Sequence, residues 1–405
     1  MYDSNFSPSA RIVDAVIKRG FLRLPSTDNP NFLDLIRAIL ISADADLPSS
    51  HHSEKLSMII GKPKHLIFII VDGMGMMALE DEIVKKLRDQ LVTELDSVFP
   101  ATTACAMTSL ATGLWPSEHG IPGWFSYISE KKLNTIVLPF IERTKGSSLL
   151  DMGIGTTAMW PYPSQISAIS RDALLLHPSS INNSVFTQYS AGGIRRIGYD
   201  SKDDAIQVIQ DRLFREDKPT FTFLYLPHYD NICHSKGVKS KESYAVLDSI
   251  QNDIFLIRES LPKDSKLIVT ADHGLVDIQS DCSYGLHLNH PLLNCLKALP
   301  SGEPRTPHFH IKDGKIAEFK QHWSEMVGDE MILVNQHEAA CLKLFGTDRF
   351  SHMAKKRFGD LIGIAIKPIV IDCLSDSNNE QKMIGRHGGM MPEEVRIPVL
   401  LFNGD

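Results

Sequence analysis

Three aspartates and three histidines stand along this chain at places where ordinary packing has little use for them. Asp72 follows the apolar run His65-Leu-Ile-Phe-Ile-Ile-Val71, and Asp272-His273-Gly274 follows Lys266-Leu-Ile-Val-Thr270. Asp230 and His234 come just after Thr220-Phe-Thr-Phe-Leu-Tyr-Leu-Pro227, four residues apart, so one helical turn projects both from the same face. His387 stands in Gly385-Arg386-His387-Gly388-Gly389, a flexible setting that suits a loop brought to a ligand. Carboxylate oxygens with imidazole nitrogens form the donor set of a borderline divalent cation such as Zn²⁺. Three of each suffice for two ions, and they are too much uncompensated charge for a purely structural cluster. Paired metals clamp the entering and leaving oxygens of an in-line phosphoryl displacement.

A nucleophile for that chemistry is offered by Ser97-Val-Phe-Pro-Ala-Thr102-Thr103-Ala-Cys-Ala106. Pro100 breaks the preceding segment, and Thr102 or Thr103 falls where a helix N-cap belongs, ahead of a run of small residues. The unpaired backbone N–H groups and the helix dipole favour an anion there, either a phosphate or an alkoxide. A bound Zn²⁺ lowers the pKa of coordinated water to about 7, so a threonine hydroxyl beside such an ion needs no histidine base.

The elements that must position these groups are strands. The three apolar runs that precede Asp72, Asp230 and Asp272 have the length and continuity of buried parallel strands, and open α/β sheets gather ligands beyond the carboxyl ends of such strands. Helical periodicity appears over Ala10–Arg19, Phe32–Ala43, Asp203–Phe214 and Ser243–Ser260, while Pro25–Pro30 and Pro48–His52 read as loops. Gly73, Gly75 and Ala78 match a dinucleotide-binding turn, but the Asp72 carboxylate at the strand tip would repel a pyrophosphate unless a cation intervened.

In this order and at strand ends, the fragments resemble the alkaline phosphatase superfamily, most closely its nucleotide pyrophosphatase/phosphodiesterase-like branch. The resemblance rests on Val71-Asp-Gly, Phe99-Pro-Ala-Thr-Thr, Thr112-Gly-Leu-Trp-Pro-Ser-Glu-His-Gly120, Asp230-x-x-x-His234, Asp272-His273-Gly274 and Gly385-Arg-His387-Gly. It covers residues 64–280 and 384–402 and implies an α/β fold with a mostly parallel central sheet, helices on both faces and inserted cap segments. It also implies two zinc ions, one held by Asp230, His234 and His387, the other by Asp72, Asp272, His273 and the nucleophile. In that superfamily the nucleophile lies nine positions before the threonine of the Thr-Gly pair, which selects Thr103 by counting back from Thr112.

The chain also departs from the pattern. No arginine follows Thr103, which argues against a sulfatase, and Trp124 occupies the position where the phosphodiesterases carry a phosphoryl-binding asparagine. Trp124 and Arg143 are the candidate substrate contacts, with Phe125 and Tyr127 completing an aromatic platform and Lys145 or Arg305 as further cations. His287, His290, His308 and His310 read as structural, and His51-His52 as solvated.

Bulk properties set the frame. With 405 residues and 43% hydrophobic content, the chain reads as an N-terminal helical accessory segment (1–62) and a catalytic domain (63–405). Insertions are expected at about 121–200 and 283–383. A net charge of −7 gives no footprint for nucleic acid or an acidic membrane. The six cysteines form no CxxC pair, no signal-peptide pattern opens the chain, and no apolar run reaches the roughly 18–20 residues of a membrane span; the expected compartment is cytoplasmic. The function read from all this is metal-dependent hydrolysis of a phosphodiester or pyrophosphate through a phosphothreonine. A phosphomonoesterase, a phosphonate hydrolase of the phosphonoacetate hydrolase kind, and a phosphomutase are the alternatives.

Overall fold

The computed structural model describes residues 6–373 and 383–404. Residues 1–5, within the N-terminal segment, residues 374–382, within the second expected insertion, and residue 405 lie outside the described residues. The framework is a seven-stranded sheet of β1 (His65–Val71), β2 (Leu91–Asp96), β3 (Asp172–Pro178), β4 (Arg195–Tyr199), β5 (Thr220–Leu226), β6 (Ser265–Thr270) and β7 (Arg396–Asn403). Its order is β2-β7-β6-β1-β5-β3-β4, parallel from β6 to β4, with β7 antiparallel to both of its neighbours. Every residue of β1 and β5 is buried, so helices must cover both faces. Leu35 and Ile39 of the Phe32–Ser42 helix, Ile206 of Lys202–Arg215 and Ile250 of Lys241–Glu259 belong to the same apolar cluster as Ile67 and Phe68.

Register aligns the chemistry. Ile70 pairs with both Tyr225 and Thr270, so β1, β5 and β6 finish side by side. The residues just beyond them, Asp72, the His228–Lys236 helix carrying Asp230, and Asp272-His273, therefore share one edge.

Two expectations are corrected by the packing. The N-terminal helical segment packs onto the framework through Phe32, Leu56 and Ile60 in the main apolar cluster, and Pro48–His52 is not all loop, because the helix His51–Ile60 starts there under a Ser50 cap. Residues 121–200 are not wholly an insertion, since β3 and β4 lie in the main sheet. Only four apolar residues, Ala173–Leu176, mark β3 in the sequence, and β4 is a half-exposed edge strand, so neither carries the long apolar run that identified β1 and β5. Three short strands between Phe125 and Glu142 join four between Ser301 and Ala365 in a second, wholly antiparallel seven-stranded sheet. Its seam is the pairing of Gly302 with Phe125, which brings the Ser301–Glu303 strand against the chain at Trp124. Gly123 is obligatory at that seam: its φ is +148°, and a Cβ would stand 2.6 Å from the carbonyl carbon of Gly302.

Candidate active site

Thr103 is the first residue of the helix Thr103–Thr112, and Thr102 is its N-cap. The Thr102 side chain does not cap the helix; its Oγ1 donates to Glu303 Oε1 at 2.8 Å instead. The first-turn N–H groups of Thr103–Thr112 thus lack the usual side-chain acceptor, at the end where the helix dipole favours an anion. Thr103 Oγ1 lies 3.1 Å from His273 Nε2 and 3.4 Å from Asp72 Oδ1.

The six sequence-derived Asp and His residues come together as two groups. In one, Asp72, Asp272 and His273 each offer a ligand atom, and these atoms lie within 4.8 Å of one another; Asp230, His234 and His387 do the same in the other. His273 Nε2 is 3.4 Å from Asp72 Oδ1 and 3.5 Å from Asp272 Oδ2. His234 Nε2 is 3.0 Å from Asp230 Oδ2, and His387 Nε2 is 3.9 Å from Asp230 Oδ1. The groups adjoin, with the His273 and His387 rings stacked at 4.0 Å between centroids.

Local structure fixes the orientations. Asp272 Oδ1 accepts from the backbone N–H of Gly73 and of His273, at 3.1 and 3.0 Å. His234 Nδ1 meets the Gly385 carbonyl at 2.7 Å, and Tyr225 donates its hydroxyl to Asp72 Oδ2. Gly274 serves the turn through lack of bulk: a Cβ there would lie 2.1 Å from the Glu393 carbonyl oxygen. The His387 loop is tied down by Glu394, whose carboxylate accepts from Gly389 N at 2.7 Å and Met391 N at 3.1 Å. Arg305 pairs bidentately with that carboxylate, at 2.6 and 2.8 Å, with both side chains fully buried. Arg305 is therefore structural and does not serve as a substrate cation.

The donor set fits cations. Asp230 Oδ1, Asp272 Oδ2 and His387 Nδ1 are buried and have no hydrogen-bond partner among the described residues, an arrangement native proteins rarely leave uncompensated. Burial pushes the Asp72 carboxyl well above its ordinary range, and the Asp272 and Asp230 carboxylates add to it. Asp272 is raised by burial too, against the pull of His273. For Asp230, burial works against ionisation, but His234, His387 and His273 outweigh it and hold the carboxyl low. Burial and the neighbouring His273 ring hold His387 well below the usual imidazole value. Carboxylates crowded this way are relieved by positive charge.

These groups open into a cavity of about 680 Å³ whose lining includes Asp72, Thr103, Asp230, His234 and His387. Trp124, Phe125, Phe186 and His177 line it too. Arg143 is not brought there: its guanidinium lies 3.6 Å over the Phe125 ring and donates to the Pro300 carbonyl. Lys145 is exposed. Among the described residues, the arginine that does line the cavity is Arg386, paired with Asp372 at 2.6 Å.

Glu303 and Arg386 escape the sequence reading. Glu303 sits in a Pro- and Gly-flanked stretch with no spacing signal, and only the Gly302–Phe125 pairing places it beside the nucleophile helix. Arg386 was visible as the neighbour of His387, though its partner Asp372 gave no hint of a shared site.

Among curated proteins no sequence match was found. Solved structures share the fold. Murine ectonucleotide pyrophosphatase/phosphodiesterase 5 is 16% identical over 83% of this chain and 87% of its own, with a TM-score of 0.61. The human counterpart is likewise 16% identical over 83% of this chain and 87% of its own, again with a TM-score of 0.61. Phosphonoacetate hydrolase from Sinorhizobium meliloti, in complex with phosphonoformate, is 15% identical over 84% of this chain and 90% of its own, with a TM-score of 0.57. A family model described as type I phosphodiesterase / nucleotide pyrophosphatase matches residues 66–390. The chain belongs to that family, within the alkaline phosphatase superfamily, and is a phosphoric ester hydrolase whose family implies divalent metal ions.

Proposed function

We propose that this enzyme hydrolyses phosphodiester or pyrophosphate bonds by double displacement through a phosphorylated Thr103. The observation that carries the reading is the position of Thr103 Oγ1, on an uncapped helix N-terminus and 3.1 Å from His273 Nε2, where two Asp/His groups adjoin. Asp230, His234 and His387 would hold one ion; Asp72, Asp272, His273 and Thr103 would hold the other, and zinc suits these oxygen and nitrogen donors. When bound, such ions supply Lewis acidity toward a phosphoryl oxygen and favour the ionised hydroxyl.

The chain's own groups do the rest. Thr103 Oγ1 attacks phosphorus, the Oγ1–P bond forms as the bond to the leaving-group oxygen breaks, and water then attacks phosphorus to release Thr103. The first-turn N–H groups of Thr103–Thr112 face the charge that builds on the phosphoryl oxygens. The aromatic wall of Trp124, Phe125 and Phe186 takes an apolar or flat leaving group. The murine relative has been solved with AMP, so a nucleotide is one substrate to try.

A second reading, a phosphonate hydrolase, is favoured by Arg386, the one arginine or lysine among the described residues lining the cavity. A phosphonate that carries a carboxylate, as phosphonoformate does, would need such a cation. Turnover of an aryl phosphodiester, the matching monoester and a carboxylated phosphonate tests both readings. Preference for the diester supports the first, preference for the phosphonate supports the second, and preference for the monoester overturns both.

A further inference from the structure

Glu303 belongs to neither Asp/His group, yet it lies in the same cavity and is only 5% exposed. Its Oε1 accepts from Thr102 Oγ1 at 2.8 Å and from the backbone N–H of Trp124 at 2.5 Å. On its other flank it presses on the loop after His387: a Cβ at Gly388 would stand 2.6 Å from Glu303 Cβ and Cγ. The carboxylate thus bonds the residue before Thr103 and the backbone at Trp124, while the aliphatic part of the same side chain packs beside Gly388. Oε1 carries both bonds. Oε2 makes no hydrogen bond among the described residues, in a side chain that lines the cavity. A structural tie needs only the first oxygen, and the second belongs to a side chain that lines the cavity shared with Thr103.

We propose that Glu303 selects substrates by charge, its carboxylate disfavouring a phosphoryl group with two negative charges and admitting the singly charged phosphoryl of a diester. This rests on the phosphoryl-transfer reading above. A dianionic monoester placed over Thr103 meets the Glu303 carboxylate as a like charge in a largely buried space, where such juxtaposition is strongly unfavourable. A diester carries one charge fewer and turns its second substituent toward the apolar wall of Trp124 and Phe125. Arg386 offers limited relief to a dianion, because it is already engaged with Asp372.

Glu303→Gln separates the two roles, since the amide oxygen still accepts from Thr102 and Trp124 while the charge is gone. Metal-replete wild type and variant are assayed with bis(p-nitrophenyl) phosphate and p-nitrophenyl phosphate. Burial raises the Glu303 pKa to about 7, so the assay is run at about pH 9, where the carboxylate is ionised. The expected result is a rise in the monoester-to-diester ratio of kcat/KM by at least about tenfold. Glu303→Ala, which also removes the charge, is expected to raise the same ratio and serves if the glutamine variant does not fold. An unchanged ratio, or a parallel fall of both rates, means that Glu303 is only a structural tie and overturns the inference while leaving the hydrolase reading in place. A wild type that hydrolyses neither ester overturns both.

Discussion

Thr103 Oγ1 and His273 Nε2 lie 3.1 Å apart although 170 residues separate them in the chain. The contact exists because β1 and β6 are adjacent and end in register, while the Thr103–Thr112 helix delivers its first residue to the same edge. Nothing local would hold a threonine against a buried histidine there. The nucleophile assignment predicts that Thr103→Ala lowers kcat on an aryl phosphodiester by at least about 10³-fold in metal-replete protein. Trapping of radiolabelled phosphate on wild type but not on the variant checks it.

The Arg305–Glu394 pair predicts a different failure. Both side chains are fully buried, and Arg305 also donates to the Lys367 and Ile369 carbonyls at 3.1 and 2.9 Å. Removing one partner strands the other's charge, so Arg305→Met is expected to destabilise the protein by about 3–5 kcal/mol. Because Glu394 anchors Gly389 and Met391, metal affinity at His387 should fall with it; urea unfolding and a metal titration read the two effects.

Stability should also depend on pH through buried neutral histidines away from the metal donors. Burial pushes His119 and His308 down to about 3, from an ordinary value near 6.5. The folded state keeps them neutral while the unfolded chain takes up protons, so their contribution is complete above pH 6.5 and is lost as pH falls from there toward about 3. Each adds a slope of about 1.4 kcal/mol per pH unit inside that window. His308 packs against Phe345 and Phe358, with ring centroids 5.7 and 5.1 Å away, so His308→Phe keeps the aromatic contacts while giving up the Nδ1 bond to the Phe358 carbonyl at 3.1 Å. Urea unfolding at pH 7 and pH 5 should show a smaller loss for this variant than for wild type.

What could be read from the sequence follows from the length over which each signal is written. β1 and β5 are fully apolar for seven residues each, and a carboxylate directly after such a strand is conspicuous. β3 and β4 were missed because a four-residue apolar stretch and a half-exposed edge look like loop. Asp72, Asp230, His234, Asp272 and His273 are legible because they follow apolar strands, and His387 because it stands among glycines where packing has little use for an imidazole. Glu303 was not, because its place depends on a pairing across 177 residues, Gly302 with Phe125, that neither strand announces. Arg143 and Arg305 looked equally available as cations; only packing shows one stacked over Phe125 and the other closed on Glu394.

The most direct test is a metal analysis of the purified chain and of its Asp272→Asn and His387→Ala variants, joined to diesterase activity. The account predicts about two divalent ions per wild-type chain, about one in each variant, and activity that chelation abolishes and zinc restores. Full diesterase activity in metal-stripped protein, or an unchanged metal content in both variants, would contradict it.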